Sequence, residues 1–166
     1  MTTTTAPTLL VCDPKTHKTR EATFEEVLAA ARMHLSRRIR QGTSLDSPRA
    51  TRDYLMVRLG AREHEVFCVL YLDNRHRLIE CQELFRGTID GASVHPREVV
   101  KEALSRNAAA CILVHNHPSG VAEPSQADQL ITRRLQDALA IVDIRVLDHL
   151  IVAGQDLLSM AERGLL

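Results

Sequence analysis

Two apolar runs of strand length, Val66 to Leu72 and Ala110 to His115, constrain this chain more than any other feature. Both are too short for core helices, and both read as strands. Asp73, Asn74, Arg75 and His76 supply a turn after the first run, and Arg77 to Leu84 follows as its antiparallel partner. Helical patterns flank these strands. Thr23 and Glu26 have capping-box spacing ahead of Phe24, Val27, Leu28, Ala31 and Leu35, an amphipathic helix running toward Gly42. Ser47, Pro48 and Gly60 frame a second helix carrying Tyr54, Leu55, Val57 and Leu59. Pro96 opens a third, with Val99, Val100, Ala103 and Leu104 on one face. A fourth begins near Ser125 and carries Leu130, Ile131, Leu135, Ala138 and Leu139. Val142 to Val152 reads as one long or two short strands, and Ser159 with Glu162 as the cap of a last short helix ending at Leu166. The pattern is that of an α/β chain.

At 166 residues and 45% apolar content, the chain is long enough for one domain with a buried core. Its 21 basic and 21 acidic side chains cancel, so no global field draws it to nucleic acid or membrane. Basic residues are locally enriched between Pro14 and Glu63, with Arg32, Arg37, Arg38 and Arg40 close together. Few aromatics lie among them to stack on bases, so a solvated helix face is the first reading and DNA the minor one. Cys12, Cys68, Cys81 and Cys111 form no C-x-x-C pair and read as reduced core residues. No stretch reads as a signal peptide, and no apolar run approaches the ~18 residues of a membrane span, so a cytoplasmic protein is expected. Met1 to Pro7 is polar and unpatterned and is expected to be poorly ordered.

The chemistry concentrates in His115-Asn116-His117-Pro118-Ser119-Gly120, followed by Ser125 and Asp128. Residues two apart in extended backbone point to one side, so both imidazoles can aim at a single point past the strand end. Pro118 and Gly120 turn the chain, which lets the next helix bring Asp128 back toward them. Two neutral imidazoles and one carboxylate suit zinc and leave a fourth tetrahedral position for water. Asp128 has a second reading: with Ser125 three residues before it, it can simply cap its own helix. Asn116 points away from its histidine neighbours and is assigned to loop support, and Ser119 to the turn. His149, after Asp148 in a strand, reads as a structural histidine, with orientation of a metal ligand as the alternative.

These residues, taken together, resemble the JAB/MPN (JAMM) metalloprotease family and, within it, the bacterial RadC-like proteins. The likeness runs from about Tyr54 onward. It includes Glu65-Val66-Phe67, Leu70-Tyr71-Leu72-Asp73, Phe85-Arg86-Gly87-Thr88, Pro96-Arg97-Glu98, the whole run from His115 to Asp128, and Asp148-His149-Leu150-Ile151-Val152. It implies a cytidine-deaminase-like JAB/MPN domain, a mixed and mostly antiparallel sheet flanked by helices. The domain would span 45–166, behind an N-terminal extension over 1–44 with one amphipathic helix. The family pattern of a glutamate, then H-x-H, then S-x-x-D implies that His115, His117 and Asp128 hold zinc. It also implies that Ser125 positions or stabilises the reacting oxygen. Among Glu63, Glu65, Glu80 and Glu83, Glu65 is assigned as the general base, since it stands where the family carries that residue; Glu80 is the reserve. The implied activity is hydrolysis of a peptide or isopeptide-like amide by metal-activated water, with a peptide or protein substrate. A non-catalytic scaffold and a DNA-associated protein or nuclease are the other two classes the resemblance leaves open. RadC-like proteins usually carry a helix-hairpin-helix region ahead of this domain, and no copy of it is evident here.

Overall fold

The computed structural model describes residues 9–38, 48–87 and 94–166. Its body is a five-stranded sheet made of β3 (Val66–Leu72), β4 (Leu78–Arg86), β5 (Ala110–Asn116), β6 (Arg145–Ala153) and β7 (Asp156–Ser159), in the order β4-β3-β5-β6-β7. The β5–β6 pair is parallel and the others are antiparallel. The parallel pair needs a crossover, and α4 (Gln126–Ala140) provides it. α3 (Pro96–Ser105) lies between β4 and β5 in the chain, and α2 (Pro48–Leu59) precedes β3. An N-terminal hairpin, β1 (Leu10–Cys12) with β2 (Thr19–Glu21), leads into α1 (Phe24–Arg38).

Every residue of β3 is buried, because both sheet faces are covered. Cys68, Leu70 and Leu72 pack with Tyr54, Leu55 and Leu59 of α2 on one face. Phe67, Val69 and Tyr71 pack with Val99 and Ala103 of α3 and Leu135 and Leu139 of α4 on the other. The result is a three-layer arrangement, helix on sheet on helix pair. Burial pushes the thiols of Cys68 and Cys111 up to about 12, so they are inert core residues. Cys12, by contrast, is exposed on the N-terminal hairpin rather than in a core. Among the described residues no helix is long and apolar enough to cross a membrane.

Most of the expected elements are present, and the capping box at the start of α1 is made: Glu26 N donates to Thr23 Oγ1 and Thr23 N to Glu26 Oε2. Several expectations need correction. Phe24, Leu104 and Leu130 are exposed, because α1, α3 and α4 each meet only one neighbouring layer and their apolar stripes are wider than the contact. No helix forms after Ser159. Glu162 N does donate to Ser159 Oγ, but residues 160–164 are turns, with Gly164 at φ +68°. The strand β7 ends at Ser159 and forms a hairpin with β6 through Gly154. Gly60 follows α2 as expected, though not to adopt a left-handed conformation. A Cβ there would stand 2.5 Å from the Gly154 carbonyl oxygen and 2.6 Å from that of Met56. Gly42, Ser47, Met1 to Pro7 and most of the turn-rich segment after Arg86 lie outside the described residues.

Two stability outcomes follow from this packing. Leu139→Ala empties a fully buried position and should cost about 2–5 kcal/mol, whereas Leu130→Ala, on the same helix but 60% exposed, should stay within about 0.5 kcal/mol. Urea unfolding midpoints compare the two directly. Gly60→Ala forces backbone against backbone and should lower stability by about 1–3 kcal/mol in the same assay.

Candidate metal centre

The register of the sheet builds the site. Phe67 pairs with His115 across the antiparallel β3–β5 ladder, so the residues two positions outward, Glu65 and His117, come opposite each other beyond the strand ends. Phe67, His115 and His117 share a parity, and this parity faces α4. His115 is buried at 1% exposure, inside the last turn of sheet, while His117 stands one residue past β5 and donates its backbone N–H to Val152 O at 2.8 Å. A turn from His117 to Gly120, closed by Gly120 N donating to His117 O at 3.1 Å, then reverses the chain. Gly120 sits at φ +78°, a conformation that glycine supplies without strain.

Ser125 caps α4, and Asp128 is the third residue of its first turn. The two readings of Asp128 turn out to be compatible. Its Oδ2 accepts from Ser125 N at 2.7 Å and from Ser125 Oγ at 2.6 Å, while its N–H donates to Ser125 Oγ at 3.1 Å. Oδ1 meanwhile lies 3.1 Å from His115 Nε2, and Oδ2 lies 3.5 Å from His117 Nε2. The two Nε2 atoms are 2.9 Å apart. Thus His115, His117 and Asp128 present three donor atoms within 4.8 Å of one another, a group that could hold a metal ion. A tetrahedral ion bonded at about 2.0–2.1 Å separates its ligand atoms by about 3.3 Å, so the donor set fits one with small adjustments.

The imidazoles are held from behind. His117 Nδ1 lies 2.7 Å from Val121 O; a carbonyl can only accept, so Nδ1 carries the proton and the Nε2 lone pair faces the site. His115 Nδ1 lies 2.8 Å from His149 Nε2, and His149 Nδ1 lies 2.6 Å from Thr132 Oγ1. His149 and Thr132 are both fully buried. Burial, seconded by the neighbouring His115, holds the His149 imidazole well below its usual range and hence neutral. Burial alone would raise the Asp128 carboxyl, but the adjacent imidazoles of His115 and His117, with the Ser125 hydroxyl, outweigh it and hold the group ionised. The adjacent Asp128 raises His117 in turn, the Val121 carbonyl adds to this, and the charge of Glu65 makes a smaller contribution.

Glu65 is half-buried, just ahead of β3, and the backbone on both sides of it is clamped by one side chain. The buried Asn116 amide accepts from Val66 N at 2.8 Å and donates to His64 O at 3.1 Å. Asn116 faces away from the histidines, as its parity requires, and its support reaches β3 as well as its own loop. The other acidic candidates point elsewhere. Glu80 pairs with Arg106 at 2.8 Å and Glu83 with Arg62 at 3.6 Å, both on β4, which is separated from β5 by β3, and Glu63 is exposed. Ser119 serves the turn, its hydroxyl 3.4 Å from Val121 N. Sequence reading alone missed Thr132 and the Val121 carbonyl, since neither residue type signals a role until the fold brings it behind an imidazole.

The family model for the RadC-like JAB domain matches residues 45–165. A UPF0758 protein of Thioalkalivibrio sulfidiphilus is 63% identical over 145 residues, covering 87% of this chain and 65% of that protein. One from Nitrosococcus oceani is 63% identical over 143 residues, covering 86% and 64%. The chain therefore spans slightly less than two thirds of the length of these curated relatives. With a model matched over most of its length and relatives this similar, the chain belongs to the RadC-like JAB domain family.

Proposed function

We propose that this chain is a zinc-dependent hydrolase of the metallopeptidase type, cleaving a peptide or isopeptide-like amide bond. His115, His117 and Asp128 would hold the ion, Glu65 would act as general base, and Ser125 would assist at the reacting oxygen. The unit responsible would be 45–166, with 1–44 as an extension, in a cytoplasmic protein. The observation that carries this reading is the convergence of two Nε2 atoms and one carboxylate oxygen at separations of 2.9 and 3.1 Å on a site only partly closed to solvent.

When bound, zinc supplies Lewis acidity, making water acidic enough to act as a nucleophile near pH ~7 and polarising a carbonyl. Glu65, opposite His117, takes the proton from the attacking water and returns it to the departing amine. Its contribution depends on placement, and the Asn116 clamp on Val66 N and His64 O supports that placement. Ser125 has two tasks. Its hydroxyl orients Asp128, and rotation of its proton away from Oδ2 leaves the bond from Asp128 N intact while the hydroxyl donates to a developing oxyanion.

Substitutions separate these roles. His117→Ala or Asp128→Ala should abolish stoichiometric zinc, measured by mass spectrometry of the purified protein, and hydrolysis of an amide substrate with it. Glu65→Gln should retain zinc and lose turnover by about 10²–10⁴-fold. Unaltered hydrolysis by that variant removes Glu65 from the base role, and Glu80, the reserve offered by the sequence, is held away on β4 by Arg106. A wild-type chain that stays zinc-free after refolding with zinc leaves the scaffold reading in its place, and DNA cleavage lost in His115→Ala would replace the peptide substrate with DNA. Asn116→Ala should keep zinc yet lower turnover, and should also cost about 1–3 kcal/mol because Val66 N loses its buried acceptor.

A further inference from the structure

We infer that Thr132 and His149 are positioning residues that set the tautomer of His115, through a buried hydrogen-bond chain anchored on a backbone carbonyl. The inference rests on the metal reading above and deepens it.

Proton placement follows from the one partner whose role is fixed. The Asp128 carbonyl oxygen can only accept, and Thr132 Oγ1 approaches it at 2.5 Å, so the hydroxyl spends its single proton there. Met160 Sδ, the other group near that hydroxyl, is 3.9 Å away and a much weaker acceptor. Having given its proton away, Thr132 Oγ1 can only accept from His149 Nδ1, 2.6 Å distant. With its proton directed to Thr132 through Nδ1, the fully buried His149 offers Nε2 as an acceptor. His149 Nε2 then accepts from His115 Nδ1 at 2.8 Å. That leaves the Nε2 lone pair of His115 facing His117 and Asp128, the form a metal ligand requires.

The chain spans three elements. It starts at the backbone of Asp128, passes through α4, β6 and β5, and brings His115 Nε2 to within 3.1 Å of the side chain of the same Asp128. Two ligands thirteen positions apart in sequence are therefore registered to each other without an ion. His117 reaches the same tautomer by a separate route, the Val121 carbonyl, so a change at Thr132 should affect one imidazole and spare the other. Phe67 packs against both His115 and His149, with ring centroids 6.3 and 5.6 Å away, and shields the chain from water.

The test uses the full chain, metal-free and with zinc alone. Imidazole nitrogen shifts in the metal-free wild type should show a proton on His115 Nδ1. Thr132→Val removes the hydroxyl with almost no change of shape; it should mix the His115 tautomers, leave His117 unmoved, and raise the zinc Kd by about 10- to 100-fold in chelator competition. Thr132→Ser, which restores the hydroxyl, should return both readouts toward wild type. A His115 Nδ1 without a proton in the wild type would overturn the inference, and that measurement does not depend on any variant folding. So would a Thr132→Val protein with one tautomer and wild-type zinc affinity. Failure of the wild type to bind zinc, by contrast, would sink the metal reading while the nitrogen shifts still decide the tautomer.

Discussion

The carboxylate of Asp128 is shared between a helix cap and two imidazoles, and this sharing ties the site to the fold. One oxygen is engaged by the N–H and hydroxyl of Ser125, which satisfies donors that the first turn of α4 would otherwise leave bare. The other oxygen faces His115 across 3.1 Å. Forming the helix therefore delivers the carboxylate, and no separate loop has to be ordered to complete the triad. The same cap fixes the backbone carbonyl on which Thr132 closes. A substitution at Ser125 consequently reaches both helix stability and site geometry.

Behind the triad lies a short polar column within an apolar core. His115, His149 and Thr132 are nearly or fully excluded from water, a costly arrangement unless each polar atom finds a partner. Each does, because β5 and β6 run parallel with Leu113 opposite His149, which sets the two rings one step apart on the face toward α4. Such a column stiffens the orientation of the imidazoles, since any rotation of one ring breaks bonds at the next. Asp148 adds to this from the strand itself, accepting from the His149 N–H at 2.7 Å and from Ser159 Oγ at 2.6 Å, and so linking β6 to the end of β7.

Much of the architecture was legible because hydrophobic period and capping residues act locally. The β3–β4 hairpin, α3 and α4 stand where their patterns put them, and the H-x-H parity brings both rings to one side. Elements whose stability comes from neighbours were harder to read. β1 and β2 have three residues each, too few to show a period, and β7 was mistaken for the lead-in to a helix because Ser159 and Glu162 do make a cap-like bond without one. Asp128 makes the helix cap and its carboxylate also faces both imidazoles, a combination no linear pattern can express. Gly60 illustrates the same limit: its position after a helix suggested a terminator, whereas the fold needs it as the place where two backbones touch. Among the described residues of the basic stretch, Arg20 pairs with Glu26, Arg52 with Glu162 and Arg62 with Glu83, and Arg32 reaches the Val57 carbonyl at 3.5 Å.

The segment from Pro118 to Pro124 enters the centre by a single backbone atom, the Val121 carbonyl on His117. Its side chains are otherwise free of that duty, and Val121, Ala122 and Glu123 line a groove of about 690 Å³ together with Leu157 and Leu158 of β7. Exchanges of the Val121, Ala122 and Glu123 side chains would therefore leave the contact on His117 to the main chain, whereas Gly120, at φ +78°, has no such latitude.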